Sequence, residues 1–482
     1  MTVEAMSMAL AQERAPGAGP SEARPSEARP SEARPELHRL PRPAFGKALW
    51  RFLVVHAVFA LYAAAWIADR LGLRWLAYAA TGRRARYEPM PLPVALRLTF
   101  ERLGPTYVKL GQLVASGEAL FPPRYSHEFQ KCLDRVLPFS FADVEATLER
   151  ELGHARHTEI AWVDPKPMAA ASIAQVHAAR LSNGDEVVIK VQRPGLMSLV
   201  SADVAIMHVL ARTLSAISKR ARHANLVGIV EDFEQNLFFE LDFRNEARRM
   251  HDFNRVMRSM GTESVAAPRV YDAFSGERLL TMERFRGWSL ADTQAVLASG
   301  YDAQERLITG IRAWFQTLIC GGFFHGDVHA GNFMLLEDGR IGYLDFGIVG
   351  TFDEEQKRNV LEYVIAFQQR DWDKLAGSMI AMGTVAGSVD RDRFVADVAE
   401  MYSPMIDPEE GFRMSALVPT MLRVAATHQM RMPRDLVLVT KQLVYLDRYT
   451  RAIGGPKMNV LTDQRLTTLI MQDMFAAMFG SR

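Results

Sequence analysis

Residues 323–347 read FFHGDVHAGNFMLLEDGRIGYLDFG, and the spacing within them decides what kind of chain this is. His325, Asp327 and Asn332 follow the pattern H-x-D-x-x-x-x-N, and Asp345-Phe346-Gly347 begins thirteen residues after Asn332. The short runs FMLL and IGYLD predict a hairpin that carries these side chains on a rigid support. The order suits phosphoryl transfer. Asp327 can take a proton from a hydroxyl nucleophile or orient a water. Asn332 and Asp345 offer hard oxygens to a magnesium ion that bridges phosphates and offsets their charge. A D-F-G triplet alone arises by chance. The competing reading, a structural hairpin with solvated acids, is disfavoured by the full spacing and by what lies upstream.

Upstream, DEVVIKVQRPG (185–195) carries Lys190 at the end of a β-branched run. In a kinase, a strand lysine at this point holds the α- and β-phosphates of ATP. The preceding stretch PKPMAAASIAQVH (165–177) offers Ala169, Ala170, Ala171 and Ser172 where a kinase places glycines over the phosphates. Lys190 needs a carboxylate partner, and FFELDFRNEARRM (238–250) supplies Glu240, Asp242 and Glu246, expected on one helix. Six residues at about 100° each separate Glu240 from Glu246 by roughly 600°, so they should serve different partners. Glu246 is assigned to Lys190. The bland alternative is that these are surface acids on a helix face.

Around these motifs, residues 91–160 show helical periodicity. From about 161 the short runs EIAWV, ASIAQVHAARL and DEVVIKVQ, with SNGD (182–185) as a hairpin turn, predict an antiparallel meander. Helical patterns return over 198–260. RLLTMERFRG adds a strand, and the chain from 290 onward is mostly helical. Strands first and helices after fits an α+β, two-lobed unit.

Composition is that of a globular protein, with 49% hydrophobic and 23% charged residues and a net charge of +1. That balance gives no global argument for nucleic acid, which usually demands a basic face, and no nucleic-acid partner is expected. Cys132 and Cys320 match no metal or redox spacing and read as buried thiols. The N-terminus lacks the pattern of a secretory signal. Three copies of SEARP at 21–35 predict a disordered leader, since proline recurs every fifth residue and little is apolar. FLVVHAVFALYAAAWIA (52–68) is bracketed by Lys47, Arg51, Arg70, Arg74, Arg83, Arg84 and Arg86. A helix lying on an anionic membrane is the favoured reading, ahead of a helix buried against the domain and a true span. The ending LIMQDMFAAMFGSR is expected to be too short and polar to span.

Taken together, these motifs resemble the UbiB family of atypical protein-kinase-like proteins, linked with ubiquinone biosynthesis, over roughly residues 90–450. KLGQ (Lys109, Gly111, Gln112) matches its K-x-G-Q signature, AAAS (169–172) its alanine-rich loop, and ELD (240–242) its E-x-D motif. One departure is Ala174, where the family usually has glycine. The resemblance implies a two-lobed protein-kinase-like fold with an N-terminal helical extension packed over the active-site cleft. Lys109 would then pair with Glu240, and Gln112 and Asp242 would belong to the same lid. The expected divisions are a leader (1–47), a membrane-associating segment (48–88), the helical extension (89–160), an N-lobe (161–288) and a C-lobe (289–482). The short path from Gly347 to the helix DEEQKRNVLEYVIAFQQRDW leaves no long activation segment, so a peptide platform is missing. The implied activity is that of an ATPase or small-molecule kinase using ATP or ADP and Mg2+. Its expected place is the cytoplasmic side of the inner membrane, with anionic lipids and quinone-pathway lipids or proteins as partners. The alternatives are a nucleotide-binding scaffold without turnover and an orthodox protein kinase.

Overall fold

The computed structural model describes residues 40–479 apart from 42, 81–87, 117–121, 133–136, 220–221, 223–224, 383, 386–388, 407–413, 432–433, 456–457 and 462. The SEARP repeats and Arg83, Arg84 and Arg86 lie outside the described residues. Among the described residues the chain forms two compact units. The first holds the described residues of 40–245 and 271–283, the second those of 246–270 and 284–479. The strands that build the sites are β1 (Ile160–Val163), β2 (Ala169–Ala170), β3 (Ala174–Leu181), β4 (Glu186–Gln192), β5 (Val265–Ala266), β6 (Leu279–Glu283), β7 (Gly287–Ser289), β8 (Phe323–His325), β9 (Phe333–Leu336), β10 (Ile341–Tyr343) and β11 (Val349–Thr351).

In the first unit an antiparallel sheet runs β1-β3-β4-β6, with β2 paired to β3. β4 is central, and every residue after Glu186 is buried, which is why its sequence is a continuous β-branched run rather than an alternation. The β3–β4 turn falls on SNGD. Asn183 Oδ1 accepts from Asp185 N–H at 3.0 Å, and Gly184 takes the positive φ of +94° the turn requires. The Phe141–Leu152 helix lays Val144 and Leu148 against Val187, Ile189, Val191 and Leu279 of the sheet. Ser140 caps that helix by accepting from Asp143 N–H.

Helices Phe45–Arg70, Leu92–Leu103, Pro105–Ser116 and Pro123–Phe129 precede the sheet, and Leu196–Ile217 and Leu226–Leu241 follow β4. Gly111 sits where the Pro105–Ser116 helix meets Phe129 and Cys132. A Cβ there would lie 3.0 Å from the Phe129 ring and 3.1 Å from Cys132 Sγ, so the glycine of K-x-G-Q permits a close helix contact. Both cysteines are free. Cys132 is buried, whereas Cys320 is only partly so, and burial pushes its thiol up to about 11.

Two sequence expectations need correction. Glu240, Asp242 and Glu246 do not share one helix. The first helix ends at Leu241, Asp242 adopts an extended conformation, and a second runs Phe243–Ser259. The break arises because Asp242 Oδ1 accepts from Arg244 N–H at 3.0 Å, offering the backbone a cap instead of another helical turn. The alanine segment is also not wholly a loop. Ala169 and Ala170 pair with Val176 and Gln175 as strand β2, leaving residues 171–173 to turn the chain.

The second unit has a sheet ordered β5-β10-β9-β7, with β5 parallel to β10 and the other pairs antiparallel, and a separate β8–β11 pair. Its core gathers Phe253, Trp314, Phe324, Phe333, Tyr343 and Phe346, all under 2% exposed. The Tyr343 hydroxyl donates to Gly310 O at 3.0 Å and Trp314 Nε1–H to His325 O at 3.0 Å, so the ring polar atoms are satisfied where they are buried. The Glu354–Gln369 helix begins six residues after Ile348 and is started by a capping box between Asp353 and Gln356.

Candidate functional site

The candidate residues are distributed over both units, each built by its own fold. In the first unit Lys190 lies on β4 opposite Val176 of β3 and Leu280 of β6. It is 9% exposed, and its Nζ lies 5.4 Å from the centre of the Phe243 ring, a cation–π contact that keeps a buried ammonium oriented. Ala171 N–H donates to Ala174 O at 2.8 Å and closes the turn between β2 and β3. Ser172 is fully buried, and its Oγ finds no partner among the described residues.

Lys109 and Glu240 are brought together, Nζ to Oε2 at 3.0 Å, both mostly buried. Gln192 Nε2–H donates to Leu241 O at 2.6 Å and Phe243 N–H to Glu277 O at 3.0 Å, which fasten the end of the Leu226–Leu241 helix to the sheet. Asp242 pairs with Arg244 at 2.8 Å. Gln112 is half-buried, and its side chain makes no hydrogen bond among the described residues. Glu240→Gln keeps the shape but removes the charge facing Lys109, and leaving a mostly buried donor poorly matched costs about 1–3 kcal/mol. Limited proteolysis should then cut the 105–132 region faster than in the wild type. Equal cutting rates would show that the pair does not hold these helices.

In the second unit His325 organises the segment from Phe323 to Gly347. It is fully buried, its Nε2 contacts Leu344 O at 2.9 Å, and its Nδ1 lies 3.1 Å from Asp327 N. An N–H must donate, so Nδ1 accepts from Asp327 and Nε2 carries the proton toward Leu344. Burial lowers the imidazole pKa, which agrees with this neutral form. One ring thus fixes the backbone of Asp327 and of the residue preceding Asp345. Asn332 Nδ2–H donates to Asp327 O at 3.1 Å, and Leu344 N–H donates to Asn332 O at 2.8 Å. The Asp327 carboxylate is part-exposed, with His329 Nε2 at 3.8 Å from its Oδ2.

Asp345 has a positive φ of 50°, and its Oδ1 accepts from Gly347 N–H at 3.1 Å. Phe346 packs against His325 and Phe253 at 4.8 and 5.2 Å between ring centres. The strained backbone is held in place by that packing. Asn332 Nδ2 is committed to Asp327, and Asn332 Oδ1 and the Asp345 carboxylate are hard oxygens of the kind magnesium takes. Glu246 is buried in the first turn of the Phe243–Ser259 helix, within the second unit, whereas Lys190 belongs to the first.

Two residues escaped the motif reading. Gln442, fully buried, accepts Val328 N–H at 2.9 Å and donates to Gly326 O at 2.7 Å, mooring the 326–328 loop from a helix over a hundred residues later. Arg249 donates to Phe346 O at 3.0 Å and Gly347 O at 2.7 Å. Arg249 stands one helical turn after Glu246, a spacing that could have singled it out; nothing local marks Gln442.

The family model described as the ABC1 atypical kinase-like domain matches residues 131–379. An uncharacterized chloroplastic aarF-domain-containing protein kinase of Arabidopsis thaliana is 38% identical over 401 residues, covering 78% of this chain and 74% of that one. A probable protein kinase UbiB of Azotobacter vinelandii is 31% identical over 373 residues, 76% and 69% of the two chains. The solved complex of Rv3197 with erythromycin from Mycobacterium tuberculosis matches with a TM-score of 0.50 and 23% identity, over 81% of this chain and 99% of that one, a likeness of fold.

Proposed function

This chain belongs to the ABC1 atypical kinase-like family, and on that premise we propose that it binds ATP or ADP with Mg2+ and transfers or hydrolyses the terminal phosphate. The observation that carries the proposal is the single buried, neutral imidazole of His325, which fixes both Asp327 and the approach to Asp345. Asp327 would accept the proton of an attacking hydroxyl or water. Asn332 and Asp345 would hold the magnesium ion, whose contribution when bound is to offset phosphate charge. Lys190 would serve the phosphates, Glu246 would be the carboxylate matched to it, and residues 169–172 would roof the nucleotide. Only the short strand β11 stands between Gly347 and the Glu354–Gln369 helix, which supports a small-molecule or lipid hydroxyl as acceptor rather than a peptide. The test is to titrate ATP and ADP with and without Mg2+ and follow phosphate release. Magnesium-dependent binding is expected, and its absence would overturn the reading.

A role in ubiquinone or other isoprenoid-lipid metabolism at a membrane belongs to the same proposal. It is supported by the UbiB relatives and by the Phe45–Arg70 helix, which is long and apolar enough to cross a bilayer but is only 11% buried over its apolar window. Arg51, Val55 and Asp69 fall within about 40° of one another on the helix and form its inner face. Trp50, Leu53 and Leu61, 69%, 53% and 63% exposed, lie on the outer face. A helix fastened along one side fits lying on a membrane better than crossing it. Changing Trp50, Leu53 and Leu61 together to glutamate should reduce sedimentation with anionic liposomes at least tenfold while nucleotide affinity stays unchanged. Each burial is worth roughly 1.5–3 kcal/mol. Undiminished sedimentation would move the membrane contact elsewhere.

A further inference from the structure

Ala171, Ser172 and Ile173 turn the chain from β2 into β3, and their three successive carbonyls all accept from one residue. Arg193, immediately after β4, donates its backbone N–H to Ile173 O at 2.8 Å, Nε–H to Ser172 O at 3.3 Å and Nη2–H to Ala171 O at 3.5 Å. Nη2 also donates to Leu137 O at 3.1 Å, and the guanidinium lies 5.2 Å from the centre of the Phe139 ring. Gln175 braces this segment on both sides. Its Oε1 accepts Phe139 N–H at 2.7 Å, and its Nε2 donates to Phe139 O at 3.3 Å. Burial pulls the Arg193 pKa below the usual arginine value, with no carboxylate among the described residues to offset it. The planar fork of arginine is the side chain suited to gripping several carbonyls at once.

The chain has no cis peptide bond among the described residues, and a planar trans peptide points its N–H away from its C=O. With the carbonyls of Ala171 and Ser172 turned toward Arg193, the N–H groups of Ser172 and Ile173 point away from it. Neither donates to an acceptor among the described residues, and the buried Ser172 Oγ is likewise unmatched. Successive outward N–H groups form an anion-binding concavity.

We propose that Arg193 is a positioning residue that grips the carbonyls of 171–173 and so presents Ser172 N–H, Ile173 N–H and Ser172 Oγ–H to the phosphate oxygens of a nucleotide. A glycine loop leaves such donors mobile; here a clamp from outside the loop fixes them, so alanines suffice. The inference rests on the nucleotide reading given above. It is tested with Arg193→Gln, which loses the charge and most of the reach, and Arg193→Lys, which keeps the charge without the fork. Amide exchange is followed by mass spectrometry, and ATP and ADP are titrated against each full-length protein. Exchange over 169–174 should rise at least tenfold in Arg193→Gln, less in Arg193→Lys, while the β4 and β6 amides stay protected. The ATP-to-ADP affinity ratio should shift at least threefold in the same order. Unchanged exchange at 169–174 in both variants would overturn the clamp. Raised exchange with an unchanged ratio would overturn its role in phosphate positioning. Exchange that rises equally across the whole sheet in both variants would show a fold defect and equally overturn the positioning role. A wild type that binds neither nucleotide would refute the nucleotide reading and, with it, the phosphate role. The exchange measurement would still decide the clamp.

Discussion

Asp345→Asn should reduce magnesium-dependent nucleotide affinity by at least roughly 10- to 100-fold, the scale on which even the outer partners of a metal site cost affinity. The substitution is mild for the fold. Asparagine tolerates the positive φ of 50° and can still accept the Gly347 N–H with its side-chain oxygen. Stability should therefore change little. In the absence of Mg2+ the sign reverses. A carboxylate among the groups that meet phosphates repels them, so the amide should bind metal-free nucleotide as well as the wild type or better. Titrations with and without Mg2+, together with a thermal melt, separate the two effects. An unaltered magnesium dependence would remove Asp345 from the metal site.

Arg51→Met should destabilise the protein by about 3–5 kcal/mol, because it strands a buried carboxylate. Asp203 is fully buried, with Arg51 Nε at 2.6 Å from Oδ1 and Nη2 at 3.0 Å from Oδ2. Nη2 also donates to Leu103 O at 2.6 Å, so one guanidinium joins the Phe45–Arg70, Leu92–Leu103 and Leu196–Ile217 helices. Burial raises the Asp203 pKa, and Arg51 offsets part of that rise. Without the arginine the folded carboxyl should titrate higher still. The folded state then holds its proton more tightly than the unfolded chain, and unfolding free energy falls as pH rises through the interval between the two pKa values. The deficit of Arg51→Met should therefore be largest at neutral pH and shrink on acidification. Arg51→Met with Asp203→Leu should recover most of the loss, since an apolar pair replaces the ions. Denaturant melts from pH 7 down to pH 5 provide the check. A single variant within 1 kcal/mol of the wild type, or a deficit independent of pH, would show that Asp203 is not the group at stake.

The contrast between these two residues explains what could be read in advance. Asp345 belongs to a segment of 25 residues, and several of its supporting bonds, His325 to Asp327 and Leu344 and Asn332 to Asp327, close within it. The β-run ending at Lys190 is likewise recognisable, because a strand buried on both faces must be apolar throughout. The motifs also pointed to the family. Arg51 and Asp203 carried no such mark. An arginine beside an apolar stretch reads as a headgroup contact, and only the fold shows it turned inward to a partner 152 residues away.

By itself, then, the sequence determined the order of strands and helices, the segment from His325 to Gly347 and the strand lysine, since each follows from side-chain type at short, fixed spacing. The tertiary structure alone decided where the Leu226–Leu241 helix stops, that Ala169 and Ala170 lie in a strand, that Gln442 moors the 326–328 loop and that Arg193 gathers three carbonyls. The physical reason is common to all four. A helix end, a short strand or a polar clamp depends on which donor or acceptor arrives from elsewhere to satisfy a buried backbone group, and local composition does not encode that arrival.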